Sequence, residues 1–273
     1  MNRTAFQGEK GAYSEKAALE FFDKGIELNP CQSFKEVFEL VEQGTCSAGV
    51  VPIENSLTGS VHQNYDLLLK YNLTIAGEIY VRIVHCLMAL KNIKLEGIKR
   101  IYSHPQALEQ CQEFLEEAKD IETVPTYDTA GSAKILIEQN IKDGAAIASE
   151  QAAKDYGLQI LKSGIESNHE NYTRFLVLKK ENPMPQKGGK TSIVFSFKDI
   201  PGALFKSLSV FALRDINLLK IESRPLHGSP WKYFFYLDFE GSLEETASRN
   251  AINHLKEITT FLKVLGSYPK AEF

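Results

Sequence analysis

Between Lys179 and Lys190 the chain changes character. Two prolines and two glycines fall in this stretch, and Met184 is its only large apolar side chain. Such a segment cannot enter a core and reads as a linker. Whatever lies on either side must then fold around its own hydrophobic set. The length of 273 residues fits two such units, given domains of roughly 150 residues. The pattern predicts one unit over 1–180, a linker over 181–190 and a second unit over 191–273.

The first unit alternates helix and strand signals. Ser14, Ala17, Ala18, Phe21 and Phe22 share one helical face. Phe34, Val37, Phe38 and Val41 repeat that spacing behind a capping box of Ser33 and Glu36. Short strands are predicted at Ala48–Ile53, Arg100–Ser103, Ala145–Ala148 and Thr173–Leu178, and the run 73–90 is β-rich. Helices are predicted at His62–Lys70, Gln106–Glu117, Ala130–Glu138 and Glu150–Tyr156. Alternation with short connections implies an α/β fold. The second unit reads as strand, helix, strand, strand, helix, strand. Pro201-Gly202 opens its first helix, and the order βαββαβ is that of a ferredoxin-like module.

The chain carries 31 basic and 35 acidic residues, a net charge of −4, with pI near 5.9. No basic field favours a nucleic-acid partner. No apolar run approaches the roughly 20 residues of a membrane span. The first eight residues lack the apolar core of a secretory signal. Cys31, Cys46, Cys86 and Cys111 are scattered and read as reduced thiols of a cytoplasmic protein. The six histidines have no zinc-site spacing, and neither GxGxxG nor GxxxxGK[ST] occurs. No metal and no cofactor is therefore expected.

Several polar clusters follow strand signals at helix starts: Gly11–Glu15, Pro52–Ser60, Ser103–Gln106, Asp128–Ala130 and Ser149-Glu150. Each one alone is most simply a helix cap. Together, beyond the carboxyl ends of strands, they mark the place where an α/β sheet binds small anions. The segment Glu166–Phe175 is dense in polar groups. Its Arg174 is either a fork for a substrate carboxylate or the partner of a neighbouring acid. In the second unit, Gly202 allows close approach of a ligand or backbone at the strand-to-helix turn. Glu222-Ser223-Arg224-Pro225 offers a charged edge, or simply a surface ion pair.

Taken together these motifs resemble the prephenate and arogenate dehydratase family. The matching pieces are GAYSE at Gly11–Glu15, VPIENS at Val51–Ser56, NYDLLL at Asn64–Leu69 and SHPQAL at Ser103–Leu108. DTA at Asp128–Ala130, ASE at Ala148–Glu150 and TRF at Thr173–Phe175 complete the set. The second unit is similar to the family's ACT regulatory domain, with GAL at Gly202–Leu204 and ESRP at Glu222–Pro225. Phe205 replaces the usual small aliphatic after GAL, and Leu219 stands where Ser or Thr is common.

The resemblance implies a type II periplasmic-binding-protein-like catalytic region with lobes of about 1–75 plus 170–180, and 76–169. The chain would cross between them twice, once in the β-rich run near 73–88 and once before Thr173. It implies decarboxylating dehydration of prephenate to phenylpyruvate in L-phenylalanine biosynthesis. Catalytic candidates are Thr173, Arg174, Phe175, Asn55, Ser56 and Glu54. Substrate-binding candidates are Ser14, Gln106, Thr129, Ala130 and Ser149. Thr173 would donate to the leaving hydroxyl and Arg174 would hold a carboxylate. L-Phenylalanine would bind Gly202, Ala203 and Leu204 of one chain and Glu222, Ser223 and Arg224 of another. That pairing implies a homodimer or homotetramer through ACT domains, with feedback inhibition. A fused chorismate mutase is not expected, since GAYSE begins after ten residues. The alternatives are an arogenate dehydratase forming L-phenylalanine directly, or a noncatalytic small-acid sensor.

Overall fold

The computed structural model describes residues 3–22, 25–118, 120–181, 189–226 and 231–272. The chain opens with β1 (Arg3–Gln7), α1 (Tyr13–Phe22), β2 (Glu27–Cys31), α2 (Phe34–Glu42), β3 (Ala48–Asn55), β4 (Gly59–Ser60), α3 (His62–Lys70) and β5 (Thr74–Arg82). It continues through β6 (Cys86–Ala89), β7 (Arg100–Ser103), α4 (Pro105–Gln110), α5 (Gln112–Glu117), β8 (Glu122–Pro125), α6 (Thr129–Glu138), β9 (Gly144–Ala148), α7 (Glu150–Tyr156) and β10 (Gln159–Ser163), then returns as β11 (Tyr172–Lys179). The last unit is β12 (Lys190–Ser196), α8 (Ala203–Ala212), β13 (Leu218–Pro225), β14 (Tyr233–Glu240), α9 (Thr246–Ile258) and β15 (Phe261–Tyr268).

Three sheets result. The first has the order β2-β1-β3-β11-β5, with β4 on β3; the second is β10-β6-β9-β7-β8. β11 returns to lie antiparallel between β3 and β5. This is the two-lobed arrangement that the resemblance implied. The third sheet, β13-β14-β12-β15, is antiparallel with α8 and α9 on one face, as expected of a βαββαβ module.

Local chemistry explains the elements. Ser33 caps α2 by accepting from the Glu36 N–H, while the Glu36 carboxylate accepts from Gln32 N rather than from Ser33. The helix expected over 106–117 is two helices. Cys111, at φ −106 and ψ 22, turns the chain between them.

The lobe boundary expected near 75 lies further on. All of β5 pairs with β11, from Thr74 opposite Lys179 to Arg82 opposite Tyr172, so it belongs to the first sheet. The crossings are therefore residues 83–85 and 164–171. They bond to each other, with Ile83 N donating to Asn171 O and His85 N to the Glu166 carboxylate.

The third sheet shares a core with the first lobe. Val194, Tyr236, Leu265 and Tyr268 pack with Val51, Ile53, Tyr65 and Leu176. Gly266 makes this contact possible, because a Cβ there would stand 2.2 Å from the Ile75 carbonyl oxygen. Of the predicted linker, residues 182–188 lie outside the described residues. Lys190 departs from that prediction: it opens β12 and is buried, because the Glu78 carboxylate neutralises it.

Candidate functional site

A cleft of about 430 Å³ lies where the two lobes meet. Pro52 and Asn55 of β3 and Thr173 and Phe175 of β11 form its floor. A β-bulge makes this possible. Thr173 pairs with Asn55 and Arg174 with Glu54, but Phe175 pairs with Pro52, so Ile53 is the extra residue. The bulge lets positions 52 and 55 both face the cleft although they are three apart.

Asn55 fixes the floor. Its Oδ1 accepts from Leu57 N and Thr58 N, both at 3.0 Å, and from the Thr58 hydroxyl at 3.2 Å. Two backbone donors leave no doubt which end of the amide is oxygen. The two N–H groups of Nδ2 then serve three acceptors, Asn171 Oδ1 at 2.7 Å, Thr173 Oγ1 at 3.0 Å and the Tyr172 carbonyl at 3.1 Å. Thr173 Oγ1 thus accepts from Asn55, and its own proton is left to point elsewhere. From the opposite lobe, Gln106 Nε2 donates to the Thr58 hydroxyl at 2.7 Å. One chain of hydrogen bonds therefore runs Gln106–Thr58–Asn55–Thr173 across the cleft.

The walls are helix N-termini. Tyr13 and Ser14 open α1, Ser33 and Phe34 open α2, and Asp128 and Thr129 open α6; all line the cleft. Gln63 of α3 and His104, Gln106 and Ala107 of α4 line it as well. Among the described residues, no Lys or Arg lines it. Helix N-termini carry partial positive charge, and three of them open on the cleft. Asp128 caps α6 by accepting from Gly131 N at 2.7 Å. Burial pushes its carboxyl up from the ordinary value, against the pull of the Gly131 and Glu9 N–H groups.

His85 lines the cleft as well, 3.2 Å from the Tyr13 hydroxyl and 2.9 Å from Gln110 Oε1. Burial lowers its pKa, against the opposing pull of the Gln110 hydrogen bond and the Glu166 charge. Tyr13, His104 and Asp128 lie in the polar clusters expected at helix starts but are not among the site residues named from the sequence, and His85 is in no such cluster. The GAYSE, SHPQ and DTA segments, which hold Tyr13, His104 and Asp128, were the available signal; His85 lies in none of them.

The other predicted residues are placed as follows. Ser14, Asn55, Gln106, Thr129, Thr173 and Phe175 come together in the cleft. Ala130 is wholly buried in the second lobe's core. Ser149 caps α7 through Ala152 N and donates to the Gly11 carbonyl at 2.6 Å, the simple capping role. Gly11 stands so close to α7 that a Cβ would meet Ala152 Cα at 2.5 Å. Ser56 donates to Glu170 O and accepts from Tyr172 N, outside the lining.

Arg174 and Glu54 are corrections. Strand alternation turns both away from the cleft, toward the third sheet. Arg174 Nε donates to Glu78 at 2.7 Å, its Nη1 to Asp238 at 2.7 Å and its Nη2 to the Tyr268 hydroxyl at 3.1 Å. Burial alone would lower its pKa, but Asp238, Tyr268 and Glu78 more than offset this and keep it charged. Each of its three nitrogens is bonded within the protein, and Arg174 is not among the described residues that line the cleft. Glu54 accepts from Lys220 at 2.7 Å.

In the third sheet, Gly202, Ala203 and Leu204 border a hollow of about 690 Å³ with Phe205 and Trp231. Glu222 and Arg224 turn the other way. Glu222 accepts from Ser60 at 2.7 Å and Arg224 donates to Asp66 at 2.9 Å. Ser223, between them, is exposed. Among the described residues, no group of three or more His, Cys, Asp or Glu could hold a metal ion.

A family model described as prephenate dehydratase matches residues 4–183. Arogenate dehydratase/prephenate dehydratase 2, chloroplastic, of Arabidopsis thaliana is 48% identical over 278 residues, spanning 98% of this chain and 72% of its own. A crystal structure of prephenate dehydratase in complex with L-Phe from Arthrobacter aurescens is 33% identical with a TM-score of 0.90, covering 98% of this chain and 90% of its own. GqqA, described as a quorum quenching acylase, is 34% identical with a TM-score of 0.91, covering 99% of each chain.

Proposed function

The chain belongs to the prephenate dehydratase family, and on that premise we propose that its cleft performs the decarboxylating dehydration of prephenate, with Thr173 at the leaving hydroxyl. The chain is then a hydro-lyase of L-phenylalanine biosynthesis. The observation that carries this reading is the bond from Asn55 Nδ2 to Thr173 Oγ1. A threonine that accepts from a fixed amide has its proton free for the substrate.

The ring carboxylate of prephenate leaves as CO2, and its C–C electron pair moves into the ring. The ring hydroxyl departs with the C–O pair and takes up a proton. Aromaticity drives the step. A threonine hydroxyl is a weak acid, so Thr173 acts chiefly by hydrogen-bonding the departing oxygen as it gains charge. Such assistance supplies roughly 10²–10⁴-fold. Phe175 gives the ring an apolar floor. The substrate's two carboxylates meet the N-terminal turns of α1, α2 and α6, with Ser14, Thr129 and Gln106 as side-chain donors. Pre-organised dipoles of this kind stabilise charge without reorganising. No side-chain cation is needed, which fits an Arg174 occupied elsewhere.

Arogenate differs from prephenate only in bearing an amino group for the keto oxygen, away from the departing groups. The test is to give the purified chain each substrate at equal concentration. Phenylpyruvate from prephenate at the higher kcat/KM supports the reading; product from arogenate alone overturns the substrate assignment, and no product from either overturns the reaction.

Regulation and assembly belong to the same proposal. L-Phenylalanine binds the third-sheet hollow beside Gly202, Ala203 and Leu204, between paired copies of this module in a homodimer or homotetramer. Exposed Phe205 and Trp231 beside that hollow supply the apolar surface such a pairing buries. Among the described residues no helix is long and apolar enough to cross a membrane. The four cysteines are free and buried, in keeping with a reducing compartment such as the cytoplasm.

A further inference from the structure

The floor of the cleft and the third sheet are joined by a regular arrangement of charges. On the first sheet, Thr173 pairs with Asn55, and the next rung pairs Arg174 with Glu54. On the third sheet, Asp238 of β14 pairs with Lys220 of β13. The two rungs face each other with opposite signs. Arg174 Nη1 bonds Asp238 at 2.7 Å, and Lys220 Nζ bonds Glu54 at 2.7 Å. One residue along each strand from the reacting pair, the backbone is therefore clamped to the other module.

The clamp is built on both sides. Ser192 holds the second Asp238 oxygen at 2.6 Å, and Glu78 bridges Arg174 and Lys190. Along β13, residues 220, 222 and 224 all face the first lobe, reaching Glu54, Ser60 and Asp66. Ile221, Ser223 and Pro225 are exposed on the opposite face. A side-chain period of two thus gives β13 an inner face of charges that grip the lobe.

We propose that Arg174 and Glu54 are positioning residues, through which Asp238 and Lys220 of the C-terminal module hold Thr173 and Asn55 in the geometry that turnover needs. A shift of β13 against the first lobe loosens the Glu54 rung, and β3 carries that change one residue to Asn55. The module's liganded state therefore sets the rate through two ion pairs. Breaking a partly buried pair here disturbs the orientation of Thr173 without removing any group that touches substrate. This inference rests on the reaction proposed above.

The test uses the full chain with Lys220→Met, which keeps the apolar stem and removes the charge, and Glu54→Gln, which keeps shape and hydrogen-bonding capacity. For each, kcat and KM for prephenate are measured, with the effect of L-phenylalanine on rate and its binding by calorimetry. We expect kcat to fall about 2- to 30-fold, the range for residues that carry coupling between sites. KM stays near wild type, and L-phenylalanine still binds as in wild type while its effect on rate shrinks. Wild-type kcat with wild-type inhibition in both variants overturns the proposal, as does a loss of inhibition that simply follows a loss of binding. A wild-type chain that converts neither prephenate nor arogenate defeats the reaction instead, before any variant is compared.

Discussion

Asn55 Nδ2 donates to Thr173 Oγ1 over 3.0 Å, and the Asn55 amide is held in that sense by the backbone N–H groups of Leu57 and Thr58. The direction of one hydrogen bond thus decides which atom of the cleft floor has a proton to offer.

Asn55→Asp tests that direction. A carboxylate keeps the size of the side chain and still accepts from Leu57 and Thr58, but it cannot donate to Thr173 when ionised. It also sets a negative charge beside a dianionic substrate. We expect kcat/KM to fall by about 10²-fold or more, on the scale of one lost pre-organised donor. Steady-state kinetics beside an unchanged circular dichroism spectrum checks it.

Gln106 spans the cleft to the Thr58 hydroxyl. Gln106→Ala removes one neutral hydrogen bond between the lobes, a net loss of about 0.5–1.5 kcal/mol. KM for prephenate is expected to rise by a factor of about 2 to 12 on that energy, and the melting temperature to change little, since Gln106 is exposed. Kinetics and thermal melts on the same preparation separate the two effects.

His85 links the cleft wall to stability. Burial holds its pKa below the ordinary value. The unfolded chain therefore takes up a proton near pH 6.5 while the folded chain does not. Below that pH the unfolded state binds more protons, so stability falls as pH falls toward the folded value. His85→Gln should flatten the dependence of melting temperature on pH between about 7 and 5.5, the range set by an unperturbed histidine. Calorimetric melts across that range test it.

Gly266 lets β15 lie against the Ile75 carbonyl. Gly266→Val forces the third sheet away from β5 and should cost about 1–3 kcal/mol of stability, as overpacking does. Denaturant unfolding measures it, and the loss should be larger than for Gly97→Ala, where a Cβ meets nothing within 4 Å.

Much of this molecule was legible before folding. The helices at 62–70 and 150–156 and the strand at 100–103 fall where periodicity puts them. β2, β8 and β10 went unread because they are edge strands with mostly exposed or half-exposed residues, so their apolar signal is weak. The cleft residues Ser14, Asn55, Gln106, Thr129 and Thr173 stand in recognisable motifs of the sequence. Arg174 faces away from the cleft for a reason already present in the sequence: neighbours on a strand face opposite ways, and Thr173 takes the cleft side. What the sequence withheld was the third sheet lying against that other face, and the extra residue Ile53 that brings Pro52 and Asn55 to one side. Both are long-range facts that no local window contains.

The most direct measurement of the central claim is phenylpyruvate formation from prephenate by wild type, Thr173→Ser and Thr173→Val, each confirmed folded by its melting curve. Thr173→Val keeps the shape and deletes the hydroxyl. The account predicts that it lowers kcat by about 10²–10⁴-fold, the worth of assistance to a leaving group, while Thr173→Ser retains a substantial part of the rate. A folded Thr173→Val enzyme that turns prephenate over at the wild-type rate would contradict it.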